Sequence, residues 1–232
     1  QRFVRERLRP LEAQIAANDK IPDDVIQEMK DLGLFGLTVP EEYGGLGLTM
    51  SEEVAVARVL GRTSPAFRSA FGTNVGIGSQ SLVIDGTPEQ KAHYLPKMAT
   101  GEIVGSFCLS EPEAGSDAAS VRTTAVKDGD GYVLNGTKRY ITNAPSADLF
   151  TVFARTNPDV PGARGVSAFL VDRSLPGVSL GQPYKKMGQQ GAPVCDVIFE
   201  DVRVLADKLV GGKENIGFIT AMKVLDKGRL HI

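Results

Sequence analysis

Cysteine and histidine are scarce in this 232-residue chain, with two of each. Cys108 and Cys195 lie far apart and share no CxxC-type spacing. They read as small buried apolar residues in a reducing compartment, not as a disulfide or a metal site. Two histidines, His93 and His231, are too few for a His-based metal centre. No apolar run approaches the ~18 residues of a membrane span, and no signal-peptide pattern opens the chain. It starts on Gln1, so its N-terminus reads as trimmed or processed. A basic excess is missing too: 26 Lys and Arg face 28 Asp and Glu, for a net charge of −2. That argues against DNA or RNA as partner, while leaving room for a local cationic patch at a nucleotide phosphate.

Common catalytic motifs are absent as well. There is no GxxxxGK[ST] loop, and Gly76-Ile77-Gly78 lacks the third glycine and preceding strand of a Rossmann turn. No GxSxG elbow and no obvious Cys–His pair supports nucleophilic catalysis.

The first hundred residues carry helical spacing. Val4, Leu8, Leu11 and Ile15 recur on one face, with Pro10 set to kink or divide the run. Pro22 opens a second helix, with Val25, Met29 and Leu32 as its buried stripe and Gly33 as a left-handed cap. Glu41 to Thr49 is too glycine-rich for regular structure. A helix is expected from Ser51 to Gly61, with Val54 and Ala55 to Ala57 inward. Pro65 to Asp85 is rich in small residues, which a close neighbour or a ligand would require. Near Gly76 to Val83 both readings stand, a substrate tail or tight helix packing. Thr87-Pro88-Glu89-Gln90 is a capping box with Pro at the first helical position.

After Gly101 the texture turns to strands. Val121 to Val126 and Tyr132 to Leu134 flank a DGDG hairpin turn, and Asn135-Gly136 reads as a second turn. Leu149 to Ala154, Val166 to Val171 and Val197 to Phe199 are further strands. With no helices between them, they point to an antiparallel barrel or sandwich. Helical spacing returns in Phe218, Met222, Leu225 and Arg229, and the pattern stops uncapped at Ile232, as in a truncated helix.

Two segments carry the chemistry: SFCLSEPEAGSD, Ser106 to Asp117, and NGTKRYITNA, Asn135 to Ala144. Here the chain resembles the acyl-CoA dehydrogenase family. EEYGGLG, GTPEQKAHYLP, FEDVRV and LDKGR also match family landmarks in the family's order. The resemblance implies a multidomain α+β fold: an N-terminal helical domain (1–103), a middle antiparallel β-barrel or sandwich domain (104–213) that binds flavin, and the first helix of a C-terminal helical bundle (214–232). It implies FAD as cofactor, with Phe107, Leu109, Ser110, Gly115, Ser116, Tyr140, Ile141 and Thr142 as its contacts. Ser116, Asp226 and Arg229 are implied contacts of an acyl-CoA substrate.

The chemistry asked of these residues can be stated physically. A flavin that accepts a hydride becomes anionic, so donors such as the Ser110 and Thr142 hydroxyls and nearby backbone N–H groups stabilise it. Gly115 lets backbone approach a ligand, and Ser116 can donate to a pyrophosphate oxygen or the pantetheine arm. Tyr140, where the family often has Trp, can pack beside the flavin ring. The plain alternatives are turn serines bonded to nearby carbonyls, an ordinary strand threonine and a surface aromatic; Asp226 and Arg229 could be a plain i,i+3 surface ion pair.

The implied reaction is α,β-dehydrogenation of an acyl-CoA, with electrons passed to an electron-transfer flavoprotein. The implied assembly is a homodimer or homotetramer in a bacterial cytoplasm or mitochondrial matrix. An acyl-CoA oxidase of the same fold and a non-catalytic binding or assembly domain remain alternatives. In the family the base is a glutamate, either far along the bundle or just before the arginine of LDxxR. That second position is Gly228, which cannot take a proton, so the base is expected beyond Ile232.

Overall fold

A computed structural model describes residues 1–229; His231 and the base expected beyond Ile232 lie outside the described residues. Around Pro10, which has no N–H to give, the first helical run departs from α geometry. A π turn (Val4–Leu8) and a 3-10 turn (Arg9–Leu11) precede α1 (Glu12–Asn18). Helix α2 (Asp23–Asp31) follows Pro22, and Gly33 takes a left-handed φ of 72°. Val25 and Met29 are buried, but Leu32 is 52% exposed. The helix has ended by then, and Leu32 is its cap.

Helix α3 (Met50–Leu60) opens on a capping box between Thr49 and Glu52. Its inward face is the expected one only in part: Val56 packs against the core and Ala57 is half-buried. Glu53 and Leu60 are buried, while Val54 is half-buried and Ala55 exposed. A buried carboxylate can replace an apolar residue here because Lys227 and Arg68 supply positive charge from two other helices. Burial nonetheless raises the Glu53 pKa above its ordinary value.

The glycine-rich stretch forms α4 (Pro65–Thr73), a π turn (Asn74–Gly78) and α5 (Gln80–Asp85). Asn74, fully buried in the π turn, donates to the Met98 carbonyl at 3.0 Å and accepts from the Gly105 N–H at 2.9 Å. It thereby ties this helical run to α6 (Pro88–Thr100) and to the first strand. For Gly78 the reason is packing: a Cβ there would lie 2.5 Å from the Gly105 carbonyl oxygen. Helix α6 carries the expected capping box. The amide of Gln90 also bonds the carbonyls of Asp207 and Leu209 at 2.7 and 2.8 Å, linking the helical half to the β half.

The described residues form a mixed α+β structure with one curled seven-stranded sheet: β1 (Gly105–Cys108), β2 (Thr124–Asp128), β3 (Gly131–Thr142), β4 (Leu149–Arg155), β5 (Val166–Asp172), β6 (Val178–Leu180) and β7 (Val194–Leu205). Strand order is β1-β4-β2-β3-β7-β6, with β5 on the other edge of β4. Most pairs are antiparallel, but β4 runs parallel to both β1 and β2. Asn135-Gly136 is not a turn. It lies inside β3 at a register shift. Gly136, at φ 151°, passes so close to Thr123 that a Cβ would meet its hydroxyl at 2.5 Å. Both cysteines are free and buried, and burial pushes the Cys108 thiol upward.

Helix α7 (Gly217–Gly228) lies against β5, with Gly217 within 2.4 Å (measured from an added Cβ) of the Ser167 backbone. Thr220 and Lys223 donate to Asp85 of α5 at 2.6 and 3.0 Å. One apolar cluster joins α5, α6, β1, β4, β5 and α7 through Leu82, Leu95, Phe107, Phe153, Leu170 and Val224. No helix among the described residues is long and apolar enough to cross a membrane.

The Gly78 contact makes a direct test. With backbone on both sides, neither partner can swing away, so Gly78→Ala should cost about 1–3 kcal/mol of stability. At Gly115 an added Cβ meets nothing within 4 Å, and Gly115→Ala should leave the melting temperature unchanged. Thermal denaturation of the two variants checks this contrast.

Candidate functional site

Strand β1 ends at Cys108, and the chain turns through Ser110 into a bridge between Glu111 and Ala114. Strand β3 ends beside it at Thr142. Helix α7 crosses in front of both. Between them lies a cleft of about 490 Å³. Phe107, Leu109, Ser110, Gly115, Ser116, Tyr140, Ile141 and Thr142 all line it, and so does Arg229. Asp226 does not: it is exposed on the flank of α7. Phe218, Met222 and Leu225, which share the helical face of Arg229, form the opposite wall.

Asp117, Ala118, Ala119 and Arg139, for which the sequence raises no expectation, also line the cleft, and so does Ile77, from the Gly76 to Val83 stretch where a substrate tail or tight packing is expected. Ile77 reaches it from the π turn between α4 and α5, a feature without a periodic signal. Arg139 reaches it because β3 bulges between Lys138 and Ile141, so strict alternation no longer assigns sides. Tyr140, at the bulge, has a φ of 59° and is 63% exposed. A non-glycine residue in this region costs on the order of 1–3 kcal/mol unless its surroundings hold it. Asp196 supplies part of that hold. Its carboxylate accepts from the Tyr184 hydroxyl at 2.8 Å and from the Tyr140 N–H at 3.4 Å, and it pairs with Arg139 at 3.4 Å. The Tyr140 and Tyr184 rings lie 5.2 Å apart, and the bond to Asp196 raises the Tyr184 pKa.

Behind this surface lies a buried ion pair. Lys138 donates to Glu111 at 2.7 Å, to the Phe153 carbonyl at 2.6 Å and to the Leu109 carbonyl at 3.2 Å. Glu111 also accepts the N–H groups of Arg122 and Thr123 at 2.6 and 3.0 Å. Burial lowers Lys138 from its ordinary value, against the attraction of Glu111. Burial alone would raise Glu111, but Lys138 and the N–H donors outweigh it and hold the carboxyl below its ordinary value.

The cleft suits a flat conjugated ring with polar edges. Apolar side chains line two facing walls. The hydroxyls of Ser110, Ser116 and Thr142 have no hydrogen-bond partner among the described residues. The Nε of Arg139 is buried and likewise has none among them. Open space surrounds Gly115. The serines therefore do not serve nearby turn carbonyls, which removes the plain alternative for Ser110 and Ser116.

Known proteins are similar in sequence and in fold. The family model for the acyl-CoA dehydrogenase N-terminal domain matches residues 1–102, and that for the acyl-CoA dehydrogenase middle domain matches 106–202. The chain belongs to the acyl-CoA dehydrogenase family. An acyl-CoA dehydrogenase of Bacillus subtilis is 37% identical over 99% of this chain and 60% of its own length. Butyryl-CoA dehydrogenase from Megasphaera elsdenii superposes with a TM-score of 0.93 at 31% identity, again over 99% and 60%. A chain from a structure concerned with the electron transferring flavoprotein of Acidaminococcus fermentans gives 0.93 at 38% identity, over the same shares. The present chain thus spans about 60% of the length of each of these three.

The ion pair gives this family member a pH signature. A carboxyl held below its unfolded pKa contributes stability that is present above about pH 4.5 and is lost as pH falls through the folded value. Glu111→Gln should therefore lower stability at pH 7, by about 3–5 kcal/mol, because it leaves Lys138 without its counter-charge. It should also flatten the loss of melting temperature between pH 6 and 3. Melting curves of both proteins across that range are the check, and parallel acid limbs would contradict the assignment.

Proposed function

We propose that the protein carrying this chain is an FAD-dependent enzyme that introduces the α,β double bond into an acyl-CoA thioester. One observation carries the proposal: two distant motifs and the first face of α7 converge on a single cleft whose hydroxyls lack partners among the described residues. When bound, FAD would accept the β hydrogen as hydride. Ser110 and Thr142 would hold the polar edge of the flavin ring, with Tyr140 beside it and Phe107, Leu109 and Ile141 against its apolar part. Gly115 and Ser116 would meet the pyrophosphate or the pantetheine arm. Arg229 would meet the acyl-CoA inside the cleft, and Asp226 at its outer flank. Together these residues bind and orient, and the apolar walls exclude water, which strengthens each hydrogen bond made there.

The proposal divides the chain into a helical domain (1–103), a flavin-binding β-domain (104–213) and the start of a helical bundle from 214. Electrons would leave to an electron-transfer flavoprotein, and the enzyme would be a homodimer or homotetramer in a bacterial cytoplasm or mitochondrial matrix. Residues 1–232 alone would not turn over acyl-CoA, because no carboxylate stands at the α7 base position. That position is Gly228, where an added Cβ would meet only Ile77 at 3.6 Å, an ordinary contact.

The test uses the full-length protein loaded with FAD and mixed anaerobically with acyl-CoAs of several chain lengths. Flavin bleaching is expected with at least one of them. Removing the distal glutamate should abolish it, and adding Gly228→Glu to that variant should restore part of it. No bleaching across the series would contradict the function, and bleaching by residues 1–232 alone would contradict the position of the base. Fast reoxidation of the bleached flavin by air would point instead to an oxidase.

A further inference from the structure

Strand β3 carries a lysine where a sheet interior normally carries an apolar residue. The Lys138 side chain is 0% exposed and that of Glu111 is 4% exposed. Taking two charges out of water is expensive, and apolar residues of similar volume often stabilise a fold as well or better. What apolar packing cannot do is fix direction, and here every bond of the pair is directional. All three ammonium donors of Lys138 are used: on Glu111, on Leu109 and on Phe153. The next residue, Arg139, donates its N–H to the Ser110 carbonyl at 2.8 Å. Leu109, Ser110 and Glu111 are thus each tied, in succession, to Lys138 or Arg139 of β3.

The consequence falls on the side chain that is not tied. The Ser110 hydroxyl has no protein partner among the described residues and lines the cleft, so its direction is set by the backbone on either side of it. The same pair governs the turn that follows. Glu111 and Ala114 exchange backbone hydrogen bonds at 3.0 and 3.3 Å, while the Glu111 carboxylate grips the backbone at 122 and 123. Gly115 and Ser116 leave directly from that anchored bridge into the cleft.

We infer that Lys138 and Glu111 are positioning residues of the flavin site, clamping the loop so that Ser110 and the Gly115–Ser116 segment point at the cofactor. This rests on the flavin reading above and adds to it that donor direction at Ser110 is set from β3. A hydroxyl displaced from its acceptor forfeits about as much as a missing one.

The test is made in the full-length protein with FAD. Wild type must first bind FAD; if it does not, the flavin reading itself fails and the clamp with it. Glu111→Asp keeps the charge balance but withdraws the carboxylate by one methylene. Lys138→Met/Glu111→Gln removes both charges, so neither is stranded. With folding verified by circular dichroism, either variant should weaken FAD binding by about tenfold, the worth of one well-made hydrogen bond. It should also shift the midpoint potential and the fine structure of the visible flavin band. Ser110→Ala should cost about tenfold in wild type and almost nothing in the Glu111→Asp background, because the two changes remove the same contact. Unchanged FAD affinity and potential in a folded variant would overturn the inference. Full additivity of Ser110→Ala with Glu111→Asp would overturn it as well, since the pair would then support the fold without aiming Ser110.

Discussion

A charged pair inside a β-sheet persists only when every proton and lone pair around it finds a partner, and the Lys138–Glu111 pair meets that demand with backbone from several places at once. Leu109 just past β1, Phe153 in β4 and the peptide groups at 122 and 123 all bond to it. One side-chain pair therefore joins β1, β3, β4 and the approach to β2. The cleft is bordered by loops that leave these strands, so its floor inherits their rigidity. Apolar burial in the surrounding sheet, from Phe150, Val152, Phe169 and Val197, supplies the driving force. The ion pair supplies the angle at which the loop leaves.

The other wall depends on close backbone approach. Gly78 lies against Gly105, and Gly217 against Ser167, so the π turn before α5 and helix α7 sit nearer the sheet than side chains would allow. Asn74 and Asp85 add polar ties that bury well because each is satisfied. The result is a narrow slot with apolar faces and polar ends. This is the slot that the proposed function assigns to the flavin.

Much of this could be read from the sequence where the signal is local. The Thr87–Gln90 capping box, the left-handed Gly33 and strands β4 and β5 each rest on a few adjacent residues. So does the cleft-facing row Phe218, Met222, Leu225 and Arg229. What escaped depends on neighbours distant in sequence. Asn135-Gly136 carries the strongest short-range turn signal, yet the closeness of Thr123 makes it a bulge inside β3. Helix α3 buries Glu53 because cations from α4 and α7 meet it there, and periodicity cannot anticipate them. Tyr140 has no residue-type signal for a left-handed φ; Asp196 and Tyr184 help hold it there. Of the two residues chosen in LDKGR, Arg229 lines the cleft, whereas Asp226 lies on the flank.

The proposed site of FAD is the cleft between β1, the end of β3 and α7. Amide hydrogen exchange of the full-length protein with and without FAD tests it most directly. The account predicts that FAD slows exchange at residues 107–117, 139–142 and along the cleft-facing turns of α7, while the distant α1 and α2 stay unchanged. Tight FAD binding with no added protection at 107–117 and 139–142 would contradict it.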